Sequence, residues 1–147
     1  MDKREAILAR LLDVAGSIAG IKTATRNQDE VSERARPTIA IFDADETADE
    51  RAEERGHGGR APNIVEMSPE ALILLGGSPQ SVGTALNAVR AKLIKGVLTD
   101  AQLAALVGPN GSARYVGCST HLGHGRSMEG AMNVQFAFAY VLRPDQL

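Results

Sequence analysis

Three side chains with metal-binding and nucleophilic chemistry fall within seven residues: Cys118, His121 and His124. Thiolate and imidazole are good zinc ligands, so the spacing C-x-x-H-x-x-H invites a metal reading. A structural zinc site takes four ligands, and the remaining histidine, His57, lies in a distant loop. The same residues put a thiol beside a base, as nucleophilic catalysis requires, but no orienting third group or oxyanion motif accompanies them. The plainer reading is a glycine-rich loop, Gly117–Ser127, with a non-catalytic thiol and no metal. Asp43, Asp45 and Glu46 offer oxygen ligands to a hard cation. The calcium-loop pattern also needs a central glycine and a distant glutamate in register, and neither is present. Gly76-Gly77-Ser78 ahead of a helix start resembles half of a phosphate-binding loop, since helix N-termini attract anions. The full glycine fingerprint and the P-loop lysine are both missing. Arg90, Lys92 and Lys95 read as the exposed face of a helix, suited to its negative C-terminal end. The sequence therefore assigns no catalytic, cofactor-binding or metal residue, and an enzyme is not expected.

The elements that would hold these residues follow from periodicity. Val82, Ala85, Leu86, Val89, Leu93 and Val97 recur at helical steps between a Ser78-Pro79 start and a Gly96 stop. A second helix carrying Leu103, Leu106 and Val107 is expected from a Thr99/Gln102 capping box, with Leu98 as a hydrophobic staple. Gly108 to Gly111 breaks it. At the N-terminus, Asp2 and Glu5 suit a capping box for a helix whose apolar face is Ile7, Leu8, Leu11, Leu12, Ala15 and Ile18. Ile21 to Thr25 reads as a short strand, and Arg26 to Arg36 as a loop.

Thr38 to Phe42, Asn63 to Met67 and Ala71 to Leu75 carry strand character, as does Ala113 to Val116. TIAIF and NIVEM are expected to pair as the arms of a long hairpin. Its tip would be the acidic segment Asp43–Gly59, where seven acids face one base between Asp43 and Glu54. The last strand has the clearest alternation: Met128, Met132, Val134, Phe136, Phe138, Tyr140 and Leu142 are all even-numbered. Leu86, Val89 and Leu93 should be buried, with Phe136 and Phe138 among their partners. The order predicts one α+β domain over residues 1–147, a mixed, largely antiparallel sheet with helices packed on a face.

Composition narrows the function classes. A 147-residue chain with 44% hydrophobic and 23% charged residues can bury a real core. Aromatics make up 3% and tryptophan is absent, so stacking on nucleic-acid bases is not an available theme. The net charge of −2 argues against a nucleic-acid binder. No apolar run approaches the roughly 20 residues of a membrane-crossing helix, and MDKREAILAR is unlike a signal peptide. One cysteine rules out an intrachain disulfide, which fits a reducing compartment. A soluble chain made in the cytoplasm, without membrane contact, is expected.

Read end to end, the chain resembles a known family. The series runs from a leading helix through RPTIAIFDADE, NIVEMSPE, VRAKLIKGVLTDAQLAALVGPNG and SARYVGC to a closing MNVQFAFAYVL. It is similar to the tail terminator proteins of long-tailed bacteriophages. The resemblance covers nearly the whole chain and implies a virion structural protein, made in the host cytoplasm. Such a protein assembles as a hexameric ring, caps the tail tube, ends its polymerisation and meets the head-completion proteins of the neck. DNA would cross the lumen without specific binding, since an acidic wall repels phosphates. No catalytic residues carry over. Two other readings stand beside it: another neck or tail-completion protein of the virion, and a small enzyme or metal-binding domain using the Cys118–His124 loop.

Overall fold

The computed structural model describes residues 2–28, 32–48, 62–122 and 128–147. The alternation of the last strand organises it. Strand β7 (Met128–Leu142) buries Met132, Val134, Phe136, Phe138 and Tyr140 on one face. It pairs with β6 (Ser112–Leu122) along one edge. Along the other it pairs first with β5 (Glu70–Gly77), then with β4 (Asn63–Met67). Beyond these lie β2 (Thr38–Phe42) against β5 and β3 (Glu46–Ala48) against β4. Strand β1 (Thr23–Arg26) adds parallel to β2; the other pairings are antiparallel. The fold is α+β, with a seven-stranded mixed sheet whose even face carries helices α1 (Lys3–Gly16), α2 (Val82–Leu98) and α3 (Ala101–Val107).

The hairpin differs from the expected one in its pairing. Thr38–Phe42 faces Glu70–Leu74, while Asn63–Met67 pairs with Glu46–Ala48 and with β7. The two arms are therefore longer than TIAIF and NIVEM, and Asp43, Asp45 and Glu46 belong to an arm rather than to a solvated tip. Counting charges missed this because Glu46 has a specific partner: its carboxylate accepts a hydrogen bond from the buried Tyr140 hydroxyl. Asp43 and Asp45 occupy a kink between β2 and β3, where Ala44 takes a left-handed φ of 54°. The rest of the expected acidic loop, residues 49–59, lies outside the described residues.

Gly117–Leu122 is likewise strand rather than loop. Ladder pairing with β7 continues from Gly117↔Gln135 to Leu122↔Gly130, past a bulge at Val116. Residues 123–127 of the expected loop lie outside the described residues.

Helix ends also depart from the sequence reading. Helix α2 begins at Val82, because Ser78 and Ser81 bond to each other through their hydroxyls at 2.8 Å instead of capping. Gly96 is not a stop. A Cβ there would sit 3.3 Å from Val14 Cγ1, so the glycine lets α2 approach α1 closely. The cap of α3 is Asp100, whose carboxylate accepts from Leu103 N at 2.9 Å. Thr99 instead bonds Lys95 O at 2.6 Å, and Leu98 stays 42% exposed, so no staple forms. Asp2 caps α1 by accepting from Arg4 N, but Glu5 turns outward to Arg26 instead of completing a capping box.

On the core face, Leu86 and Leu93 are fully buried beside Phe136 and Phe138, and Val89 is partly buried. Leu93→Ala should lower unfolding free energy by about 2–5 kcal/mol, as for other buried leucine truncations. Chemical denaturation would check this.

Asp100 also pins α3 to α1, through a two-bond contact with Arg10 at 2.7 and 3.0 Å. Arg10, with help from the capped amide, holds the Asp100 carboxyl at about 2, below its ordinary 3.8. A depressed carboxyl stabilises the fold above its unfolded pKa, and that contribution is lost as pH falls through the folded value. The pinning should therefore weaken between about pH 4 and pH 2. Asn is as good an N-cap as Asp, so Asp100→Asn should keep the cap yet flatten that part of the pH–stability curve. Asp100→Ala should cost a further ~1 kcal/mol for the lost cap. Thermal unfolding across pH 2–6 would test both variants.

Candidate assembly surfaces

The two faces of the sheet differ in kind. Pairing residues share a face, so the face opposite α1, α2 and α3 is built from odd positions of β7 and their rung partners. These include Asn133, Gln135, Ala137 and Ala139 of β7, Leu72 and Leu74 of β5, and Arg114 of β6. The small side chains at 137 and 139 leave room for longer neighbours to reach across them. Arg114 donates to Glu66 at 3.1 Å, and Gln135 donates to Glu70 at 2.8 Å.

Three breaks in the ladder coincide on this face. Ser68-Pro69 separates β4 from β5, with Pro69 O accepting from Phe136 N. Asp45 O, in the kink after β2, accepts from Ser68 N, and the Val116 bulge lies on the far side of β7. Together they frame a groove of about 400 Å³ over Ala137, bordered by Asp45, Glu66, Glu70, Arg114 and Val116.

The edges are the second feature. β6 pairs only with β7, and no described strand covers its outer edge. Val116 and Leu122 on it are 50% and 44% exposed. At the opposite end of the sheet, β1 and β3 also have unpaired outer edges among the described residues.

The chemically suggestive residues do not converge. Cys118 pairs with Val134 on the helix-bearing side and His121 with Ala131 on the other, so their side chains leave β6 from opposite faces. His124 and His57 lie outside the described residues. Among the described residues, no three or more His, Cys, Asp or Glu side chains group as metal ligands.

The acids at 43–46 have separate engagements. Asp43 meets Arg26 at 2.8 Å, and that guanidinium, which also grips Glu5, lowers both carboxyls. Asp45 is exposed, and Glu46 is held by Tyr140. Burial first, then this carboxylate, raises the Tyr140 hydroxyl above its ordinary value. These contacts fasten the kink to α1, as does Arg4, which donates to Ala44 O at 2.8 Å.

Gly76 and Gly77 are the end of β5, paired with Glu129 and Met128. Lys92 and Lys95 are exposed as expected. Arg90 is not a plain surface residue: it donates to the Tyr115 hydroxyl at 3.1 and 3.3 Å and lies 5.2 Å from that ring's centroid. Tyr115 in turn meets Phe136 edge-on at 6.4 Å. What the sequence reading missed is the length of β6. A signal existed, since a 15-residue strand that buries one face needs partners of similar reach on both edges.

No family model matches the chain, and no curated protein sequence matches it either.

With Cys118 and His121 facing apart, the purified protein should hold no stoichiometric zinc. Elemental analysis would check this, and about one zinc per chain, lost on Cys118→Ser, would contradict it.

Proposed function

We propose that this chain is a virion structural protein of the tail-terminator kind. Copies of it form a ring that caps the tail tube, ends its polymerisation and provides the tail side of the joint to the head. The sequence resemblance is the starting point, and one structural observation carries the reading further. Among the described residues the sheet ends in two different unpaired edges, β6 at one end and β1 with β3 at the other. A ring of identical subunits needs each copy to present two unlike, complementary surfaces, because a head-to-tail contact closes only when one fits the other. An isologous dimer would need just one.

Its partners in this reading are further copies of itself, the tube protein below and the head-completion protein above. DNA passes through the lumen without being read.

Native mass spectrometry should find a species of six copies of the 15.5 kDa chain. Particles assembled without the protein should carry tails of uncontrolled length that do not join heads, as seen by electron microscopy. A chain that stays monomeric at every concentration, or normal tails in its absence, would refute the proposal.

A further inference from the structure

We infer that neighbouring subunits join by strand addition, with β6 of one copy extending the sheet of the next at β1. The inference rests on the ring reading and specifies its contact. Four rungs cross five strands without interruption. Cys118 lies on the rung of Val134, Ala71, Ile41 and Arg26; Ser119 on that of Asn133, Leu72, Ala40 and Thr25. Thr120 shares its rung with Met132, Ile73, Ile39 and Ala24, and His121 with Ala131, Leu74, Thr38 and Thr23. The segments CSTH and TATR are therefore the two ends of the same rungs.

Three properties make these ends fit each other in a second copy. The first is direction. β6 runs antiparallel to β7, and following the pairings outward through β5 and β2 leaves β1 parallel to β7. A neighbour in the same orientation thus brings its β6 to β1 antiparallel, the more stable ladder.

The second is phase. Thr23 and Thr25 share the face opposite α1, α2 and α3 with His121 and Ser119, while Ala24 and Arg26 share the other with Thr120 and Cys118. The pleat continues across the junction with no one-residue slip, which would have turned every side chain to the wrong face.

The third is the missing protection. Natural edge strands are blunted by charges, prolines, bulges or shortness. Beyond the Val116 bulge, Gly117–Leu122 has no proline and no Lys, Arg, Asp or Glu, and it pairs regularly with β7 throughout. Such an edge is a template for another strand.

The test uses thiols at the two ends of a rung. In a Cys118→Ser background, Thr25→Cys with Ser119→Cys marks one rung, and Thr23→Cys with His121→Cys marks another. Directly opposed residues have Cβ atoms about 4.5–5.5 Å apart, close enough for mild oxidation to join them. The native mass of each variant is measured before oxidation.

At least one pair should then give a ladder of covalent multimers reaching the hexamer on a denaturing gel, and each single-cysteine variant should give none. In the unmodified protein, whose one thiol is Cys118, alkylation should slow several-fold on assembly. A native hexamer with no ladder from either pair and unchanged Cys118 alkylation would overturn the strand contact while leaving the ring standing. Covalent dimers from Ser119→Cys or His121→Cys alone would also overturn it, because they indicate β6 paired with β6. A chain that never leaves the monomer state would remove the ring reading itself.

Discussion

Every buried backbone amide and carbonyl needs a partner, and in this molecule that requirement falls hardest on β7. Fifteen residues of extended chain run through the middle of the sheet, with the core face sealed by helices. Both edges must be paired along nearly the whole length. On one side β6 does this alone. On the other the task is divided between β5 and β4, which approach from the same direction and meet at Ser68-Pro69. Proline has no amide to give, yet its carbonyl accepts from Phe136, so β7 loses little at the junction. The positions of β2 and β3 then follow, because each needs an edge that β5 or β4 leaves free.

Breaks in three neighbouring strands line up at one level of the sheet. Such features bend strands and sharpen local twist. The sheet is thereby divided into a wider part, from β1 to β6, and a narrower part where β3 and β4 flank the C-terminal half of β7. The kink of the β2–β3 arm carries the positive φ of Ala44, which costs a non-glycine residue roughly 1–2 kcal/mol. Arg26 offsets that cost by bridging Asp43 and Glu5, and Arg4 adds a bond to the Ala44 carbonyl. The first turn of α1 therefore serves the sheet as much as the helix, which explains why Glu5 is not spent on a capping box.

Much of the fold was legible in the sequence wherever a period was sustained. The even positions of β7, the face of α1 and the residues Leu86 and Leu93 of α2 repeat long enough to identify their element and their buried side. What could not be read depended on distant residues. Glu46 looks like one acid among seven until Tyr140 is seen beneath it. Gly96 looks like a terminator until Val14 is found against it, and Asp100 is preferred over Thr99 as a cap because Arg10 approaches from another helix. In the candidate surfaces the gap was wider. Gly117–Leu122 is too polar and glycine-led to signal a strand, and only its pairing with β7 makes it one. The C-x-x-H spacing suggested convergence because sequence distance ignores the pleat. An odd step along a strand sends two side chains to opposite faces.

The one parallel pairing among the described strands bears directly on how copies of this chain can meet. Had β1 joined β2 antiparallel, its direction would match that of β6, and a head-to-tail neighbour would arrive with a parallel edge. Parallel pairing is slightly less stable per residue. With β1 parallel to β2, the two ends of the sheet run in opposite directions and their rungs stay in phase. The opposite edge at β3 is different in character. It is three residues long, and the rung of Glu46 leads through Met67 and Phe138 to Ala113, on the other side of the Val116 bulge from Gly117–Leu122. Of the two far edges, β1 is the one whose rungs reach the regular Gly117–Leu122 part of β6. That asymmetry suits repeated addition in a single register, which a closing ring needs and which non-specific edge-to-edge aggregation lacks.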